Sequence, residues 1–488
     1  MLTASFLGCA LLLPALLVVT VQGYAHCASE DFDTGYARTQ TALSGVDNYL
    51  LTCESIAKSV SPASQVFFPG SPEFKADMRH WVNSSSEVSA CSVRPGTAQD
   101  LGLILRELGA THTPFAVKCS GHTSNPGFSS TRGVHIQMSR FNDITVHEKE
   151  GTGLNVVGGR LNGVGVGGFV VGGGYSWKTN QYGLTVDTVT AFELVLPNGN
   201  IKKVTEEDKD LFFALKGGLN NYGIVTKYTL KTHNQTDVWG VAMGFSGDQV
   251  EPAYTALANF LSKPKDHKGA QLGTIAYNNG TISFGMVLFY DAPKPPCDLY
   301  DDLVKLPNAE QSIIEGSFMK FVTSLPNPPP VERSYLDSVP VLHYTAPVLK
   351  SIIDEIKAWG DKLKEHDNTV ALAFGLDPFE ADIFTHGAPS AFPPDRSYTV
   401  LPSSLFFGWT DKSLDQFFYD NMRALNSALT EKVIKHGQDV KNAAHYPNYA
   451  VYGTTLEQLY GANVKRLREI KKQFDPFRIM DLTGGFKI

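Results

Sequence analysis

The sequence predicts an α+β protein built from two large domains. Three observations lead there. The chain has 488 residues, more than one compact unit holds, because domains usually run to roughly 100–200 residues. Residues 91–231 alternate short strand-like runs with glycine-rich turns. Residues 239–410 mix alternating runs with longer stretches of helical spacing. Hydrophobic residues are 42% and charged residues 19% of the chain, a globular mixture with apolar material for a large core. A net charge of −7 and the lack of any Lys/Arg run argue against a nucleic-acid partner, which needs a basic face.

Residues 11–21 are strongly apolar, and small residues follow at Gly23 and Ala25. Residues 1–25 therefore read as a cleaved export signal, although residues 1–10 hold no basic side chain. The apolar run is too short for a comfortable membrane span, and no later segment is apolar enough for one. Export places the cysteines in an oxidising compartment. Cys9 leaves with the signal, while Cys27, Cys53, Cys91, Cys119 and Cys297 remain, an odd number that leaves at least one unpaired. Cys53 and Cys91 flank one irregular segment and are expected to pair. No C-x-x-C spacing recurs as a ligand set, so no metal site is expected. Asn83, Asn234 and Asn279 each head an N-x-S/T sequon, which suits a secreted glycoprotein.

Along the chain, a short helix begins near Ser44 and an irregular segment continues to Trp81. Residues 99–108 predict a helix with Leu101, Ile104, Leu105 and Leu108 on one face, opened by Pro95-Gly96-Thr97. Phe115-Ala116-Val117 is a buried strand. Residues 188–196 and 223–230 alternate like strands, with Pro197-Asn198-Gly199 as the turn between them. Residues 254–261 and 351–363 have helical spacing, and residues 282–290 read as a strand. Residues 326–330 and 388–396 are proline-rich loops. Residues 456–474 predict one helix, closed by Asp475-Pro476. There is no internal repeat.

Four motifs carry chemistry. The first is Lys118-Cys119-Ser120-Gly121-His122-Thr123, followed by Gly127-Phe128-Ser129. A strand delivering such a turn can aim backbone N–H groups at an anion. Taken alone, it reads rather as a surface turn with a solvated His, since short glycine motifs are common. The second runs from Gly163 through Val164, Gly165, Gly167 and Gly168 to Gly172-Gly173-Gly174. It matches G-x-G-x-x-G, with Asp187 at a plausible distance for a ribose contact. A dinucleotide fingerprint must open a helix, and here more glycines and strand-like alternation follow, so that reading is rejected. Glycine this dense suits backbone laid against a planar ligand, where a Cβ would clash. The third, residues 210–226, reads as helix, glycine-rich turn and buried strand. The fourth is Tyr446-Pro447-Asn448-Tyr449. A tyrosine serves as a base only if its pKa falls well below about 10, and by itself the pair is a packed aromatic cluster.

Together these motifs resemble the FAD-linked oxidases of the vanillyl-alcohol oxidase superfamily, with the PCMH-type FAD-binding domain. They are most similar to the berberine-bridge-enzyme-like branch in its fungal secreted form, over residues 74–232 and again over 446–476. The resemblance implies an FAD-binding domain of two α+β subdomains and a substrate domain whose antiparallel sheet is covered by helices. It divides the chain into a signal (1–25), an FAD domain (26–234), a substrate domain (235–440) and a segment returning to the FAD domain (441–488). It implies that His122 bonds the flavin covalently, and that Lys118, Cys119, Ser120, Gly121, Thr123, Gly127 and Ser129 hold the pyrophosphate. By the same token Gly163, Val164, Gly167 and Gly168 lie along the ring system, and Gly223, Ile224 and Val225 face the adenine side. Asn448 then reaches the flavin pyrimidine, and Tyr449 is the candidate base. Leu161 stands where some members carry a second, cysteinyl link, so a single histidyl link is expected. Val164, a small side chain where dioxygen would approach, favours oxidase over dehydrogenase.

One departure is large. After Thr152 the family continues with roughly twenty residues, about one strand and one short helix, that this chain lacks. The leading expectation is an oxidase passing a hydride from a small alcohol, phenolic or natural product to FAD, with dioxygen regenerating the flavin and yielding hydrogen peroxide. A secreted monomer with no membrane or nucleic-acid partner fits that reading. The alternatives are a sugar or oligosaccharide oxidase, against which Leu161 counts, and a flavin-binding protein inactivated by the internal gap. His343, His386 and Asp395 are further basic or acidic candidates on the substrate side, each read as structural.

Overall fold

The computed structural model describes residues 43–146, 153–263, 266–307, 310–325, 331–367 and 370–488. The expected signal, Cys27, the junction at Thr152 and the 326–330 loop lie outside the described residues. The first described element is a helix at Leu43–Ser59, which is 17 residues long rather than short. Its buried Cys53 bonds Cys91, as expected.

A first sheet collects β1 (Gln65–Phe67), β2 (Cys91–Arg94), β3 (Phe115–Lys118) and β4 (Val134–Gln137) in the order β1-β2-β4-β3. β4 runs parallel to both β2 and β3, and β1 is an antiparallel edge. The helix Ala98–Thr111 follows the predicted stripe: Leu101, Ile104, Leu105 and Leu108 are all buried beneath it. Thr97 caps its start, its hydroxyl accepting from the Asp100 N–H.

Next come β5 (Leu154–Asn155), β6 (Val189–Val195), β7 (Ile201–Val204), β8 (Ile224–Leu230) and β9 (His233–Asn234). β6 is central and antiparallel to β7 and β8, while β5 pairs with β9. The Pro197–Gly199 turn therefore joins β6 to β7, a short strand that its polar lysines hid, and β8 is reached only after the helix Lys209–Leu215. β8 is an edge strand.

The largest sheet has seven antiparallel strands: β10 (Val238–Ser246), β11 (Gly269–Asn278), β12 (Thr281–Tyr290), β13 (Glu310–Gly316), β14 (Arg333–Val341), β15 (Ala371–Leu376) and β16 (Leu401–Trp409). Their order is β13-β10-β12-β11-β15-β16-β14. In β10, Val241, Met243 and Phe245 point to the side where helices Val250–Leu261, Ala346–Leu363 and Asp415–Lys435 pack. Ala242 and Gly244 alternate to the other face. This is the helix-covered antiparallel sheet that the resemblance implies.

The predicted single helix near the end is two, Leu456–Tyr460 and Val464–Phe474. Gly461 breaks it with φ +47° and ψ −127°, a combination that only glycine adopts freely. Beyond it, Thr483 bridges to Phe115 of β3, and Met480 enters the core of the first sheet. The last residues thus tie the seven-stranded sheet's neighbours back to the first.

Candidate active site

The four-, three- and seven-stranded sheets border one large cavity of about 2480 Å³. Ligand sites commonly span roughly 300–1,000 Å³, so this space can take a dinucleotide together with a second molecule.

β3 delivers the first loop to the cavity. Cys119, Ser120, Gly121, His122 and Thr123 line it, as does Ser129. Gly121 has φ +76°, which allows the chain to turn there. Lys118 does not line the cavity: its ammonium points behind the loop and donates to the Asp77 carbonyl at 2.6 Å. Burial lowers its pKa to about 8, with nearby Asp77 opposing the shift. Gly127 is also outside the lining, because residues 127 and 484 pack backbone against backbone. These two are corrections to the sequence reading, which gave both to the phosphates. The Ser129 hydroxyl is buried with no hydrogen-bond partner.

His122 stacks on Trp81, with ring centroids 4.6 Å apart and 16° between planes. Burial lowers its pKa, so the imidazole is held neutral. Trp81 was not legible as a site residue. It sits in an irregular segment with no periodicity to mark it.

The glycine segment corrects the reasoning made from sequence. A helix, Val166–Val171, does open immediately after Gly165. It is only six residues long and is not fed by a parallel strand, so the dinucleotide fingerprint still fails, for a different reason. The glycines have distinct tasks. A Cβ on Gly165 would lie 2.7 Å from Cys119 Sγ and 2.9 Å from the Ser120 nitrogen, so glycine lets the helix start press on the first loop. A Cβ on Gly168 would meet nothing within 4 Å, and Gly167 and Gly168 line the cavity with Val164. Gly163, with φ +87°, serves the turn and does not line it. Opposite, Gly223, Ile224 and Val225 at the start of β8 complete this half of the wall.

At the other end, Asn448 and Tyr449 line the cavity. The Asn448 amide donates to the Phe169 carbonyl at 3.1 Å and to the Tyr446 hydroxyl at 2.9 Å. Tyr449 is bound to two residues that the sequence did not single out. Arg160 donates to its oxygen at 2.8 Å, and the Tyr449 hydroxyl donates to Asp377 at 3.2 Å. Arg160 and Asp377 form a two-pronged ion pair of 2.5 and 2.9 Å, both buried. Burial lowers the Arg160 guanidinium, but Asp377 and Tyr449 beside it more than reverse this. Burial pushes the Tyr449 phenol well above its ordinary value; Asp377 adds to this and Arg160 opposes it. A phenol held up in this way keeps its proton. Tyr449 therefore enters any proton transfer in its protonated form, with its proton directed at the Asp377 carboxylate. The weak signals for the pair were a lone charge within a glycine-rich run (Arg160) and a carboxylate directly after an alternating strand (Asp377). Their pairing, 217 residues apart in sequence, was invisible. His343, His386 and Asp395 are exposed and none lines the cavity.

The open face of the seven-stranded sheet forms the floor. Its register sets Gly244, Gly285, Thr274, Gly375 and Ser404 in one row across β10, β12, β11, β15 and β16. In the next row Ala276 and Ala373 neighbour Phe406 and Leu336. The residues present fit FAD. The loop of small residues Cys119, Ser120 and Gly121 lines the cavity with His122, whose imidazole is neutral, and Gly168 offers flat, open backbone.

Sequence and structure comparisons agree. Residues 147–205 match the FAD binding domain family and residues 445–479 match the berberine and berberine-like family. The chain is 27% identical over 477 residues, 88% of this chain and 94% of the relative, to an uncharacterized FAD-linked oxidoreductase of Arthroderma benhamiae. It is 27% identical over 491 residues, 91% of each chain, to the FAD-dependent monooxygenase drtC of Aspergillus calidoustus. Among solved structures, xylooligosaccharide oxidase from Myceliophthora thermophila in complex with xylobiose has the same fold. The TM-score is 0.68 at 20% identity, covering 89% of this chain and 98% of that one. A glycine-lined cavity, the two matched segments and relatives aligned over about nine tenths of the chain converge: the chain is an FAD-linked oxidoreductase, similar to the berberine-bridge-enzyme-like branch.

Proposed function

We propose that the protein is an oxidase acting on a small alcohol, phenolic or natural-product substrate. The carrying observation is the Arg160–Asp377–Tyr449 cluster, which stands in the same cavity as the cofactor cradle. Bound FAD supplies two-electron acceptance from the substrate and return of those electrons to dioxygen as hydrogen peroxide. A substrate hydroxyl placed at the Tyr449 oxygen loses its proton to that oxygen as the Tyr449 proton moves to Asp377. Arg160, donating to the same oxygen, stabilises negative charge there and fixes the carboxylate in place. His122, neutral and braced by Trp81, carries the single covalent link. The chain is secreted as a monomer and glycosylated at the exposed Asn83, Asn234 and Asn279.

The second reading, a sugar oxidase, draws its support from the fold shared with the xylooligosaccharide enzyme. Peroxide release from a panel of phenolic alcohols and oligosaccharides separates the two. Acid precipitation tests the link: a yellow pellet that turns white in His122→Ala supports it. Flavin in the supernatant of the unaltered protein would rule it out, and no flavin in either fraction would mean that this chain does not assemble the site.

A further inference from the structure

We infer that the substrate is a flat, multi-ring, largely apolar molecule bearing one reacting hydroxyl. This rests on the oxidase reading above and goes on to the shape and chemistry of what the site accepts. The row Gly244, Gly285, Thr274, Gly375, Ser404 crosses five strands. Four strand spacings make it roughly 19 Å wide, and no side chain in it is larger than threonine. A Cβ built on Gly285 meets only ordinary contacts, at 3.9 Å from Thr274 and 4.0 Å from the Met243 carbonyl. The floor is therefore a low, broad shelf and not a set of subsites.

Polar groups on the shelf are few: the Thr274 and Ser404 hydroxyls in the row, and Glu310 beyond Gly244 at its edge on β13. Arg160, Asp377 and Tyr449 form one cluster and bind one another. Ser283 and Asn278 sit at the strand ends beside the β11–β12 hairpin, at the rim of the floor. Phe406 adjoins the shelf, and Trp81 lies beyond it, 6.1 Å from Phe406 between ring centroids, where aromatic edges can pack on a planar ring. A sugar buried on this shelf would find the Thr274 and Ser404 hydroxyls but set its remaining hydroxyls against Gly244, Gly285, Gly375, Ala276 and Ala373, and each one left unpaired costs about 1–3 kcal/mol. A planar ring system would lie on the shelf with a single hydroxyl at Tyr449.

The test is calorimetric titration of the flavin-loaded protein with benzyl alcohol, 2-naphthalenemethanol, 9-anthracenemethanol and xylobiose. Affinity is expected to rise on the order of tenfold with each added ring, and xylobiose is expected not to bind at millimolar concentration. Gly285→Leu, which raises a side chain from the shelf, is expected to weaken 9-anthracenemethanol more than tenfold and to leave benzyl alcohol unchanged. Thr274→Leu, in the same row, serves as the second variant should the first lose flavin. Tighter binding of xylobiose than of 9-anthracenemethanol, or indifference of the three-ring alcohol to both variants, overturns the inference. Tight binding of the three-ring alcohol without flavin reduction would keep this inference and sink the oxidase reading.

Discussion

Tyr449 touches both members of a buried ion pair, and that separates its chemistry from its contribution to stability. Tyr449→Phe removes the hydroxyl but leaves Arg160 and Asp377 paired. Flavin reduction in a stopped-flow experiment is expected to slow by about 10²–10⁴-fold, with the unfolding midpoint unchanged. Asp377→Asn is expected to slow reduction similarly. It also leaves the Arg160 charge buried without a counter-ion, which costs about 3–5 kcal/mol and should appear in the melting temperature. A second residue-scale expectation concerns His135 on β4, fully buried with both ring nitrogens unpartnered. Burial, then Lys118 and His80, lower its pKa to about 3. A base whose folded pKa is depressed folds in its neutral form. Its contribution is fully present above pH 6.5, the unfolded value, and is lost as pH falls from there toward 3, by about 1.4 kcal/mol per pH unit. Urea unfolding at pH 7.5, 6 and 5 should show this slope, and His135→Leu should flatten it relative to the unaltered protein.

At the scale of elements, the short helix Val166–Val171 is held by what its glycines omit. Gly165→Ala drives a Cβ into the 119–120 backbone and thiol, and is expected to cost about 1–3 kcal/mol and to lower the flavin-to-protein absorbance ratio. Gly168→Ala has open space, so stability should hold while flavin content alone falls. If both variants behave alike, the distinction between packing glycine and ligand-facing glycine fails. The Cys53–Cys91 disulfide joins the first helix to β2 across 38 residues. Closing a loop of that length is worth about 4 kcal/mol through the unfolded chain. Cys53→Ser should lower the thermal midpoint accordingly. Elements with strong periodicity matched expectation, among them Ala98–Thr111 and Thr281–Tyr290. Those that went astray turned on single residues. Gly461 splits the last helix, and β7 has too few apolar positions to show alternation.

For the whole molecule, the cavity exists only because three sheets and the returning C-terminal segment surround it. A ligand that touches all of them stabilises the folded state by mass action. The flavin-loaded protein is therefore expected to melt at a higher temperature than flavin-free protein prepared from His122→Ala. Equal midpoints would mean that the cofactor does not bridge the sheets.

The disulfide pair, the histidine loop and the Asn448-Tyr449 motif were legible in the residues, because each is local, a short segment, a turn or a short ordered motif; the helix-covered sheet came only through the resemblance those motifs carry. Proximity across the chain was not legible. Arg160 meets Asp377 and Tyr449 only after the glycine segment, the end of β15 and the C-terminal return are stacked on one another. Lys118 reads as a phosphate ligand until β3 places its side chain behind the loop, on Asp77. The breadth of the floor follows from strand register, which pairs small residues from five separate segments. Amino-acid order determines which elements form, since hydrogen bonding and amphipathic periodicity act over a few residues. Only packing decides which side chains share a low-dielectric space, and it is there that ion pairing and burial set the proton affinities on which the chemistry depends.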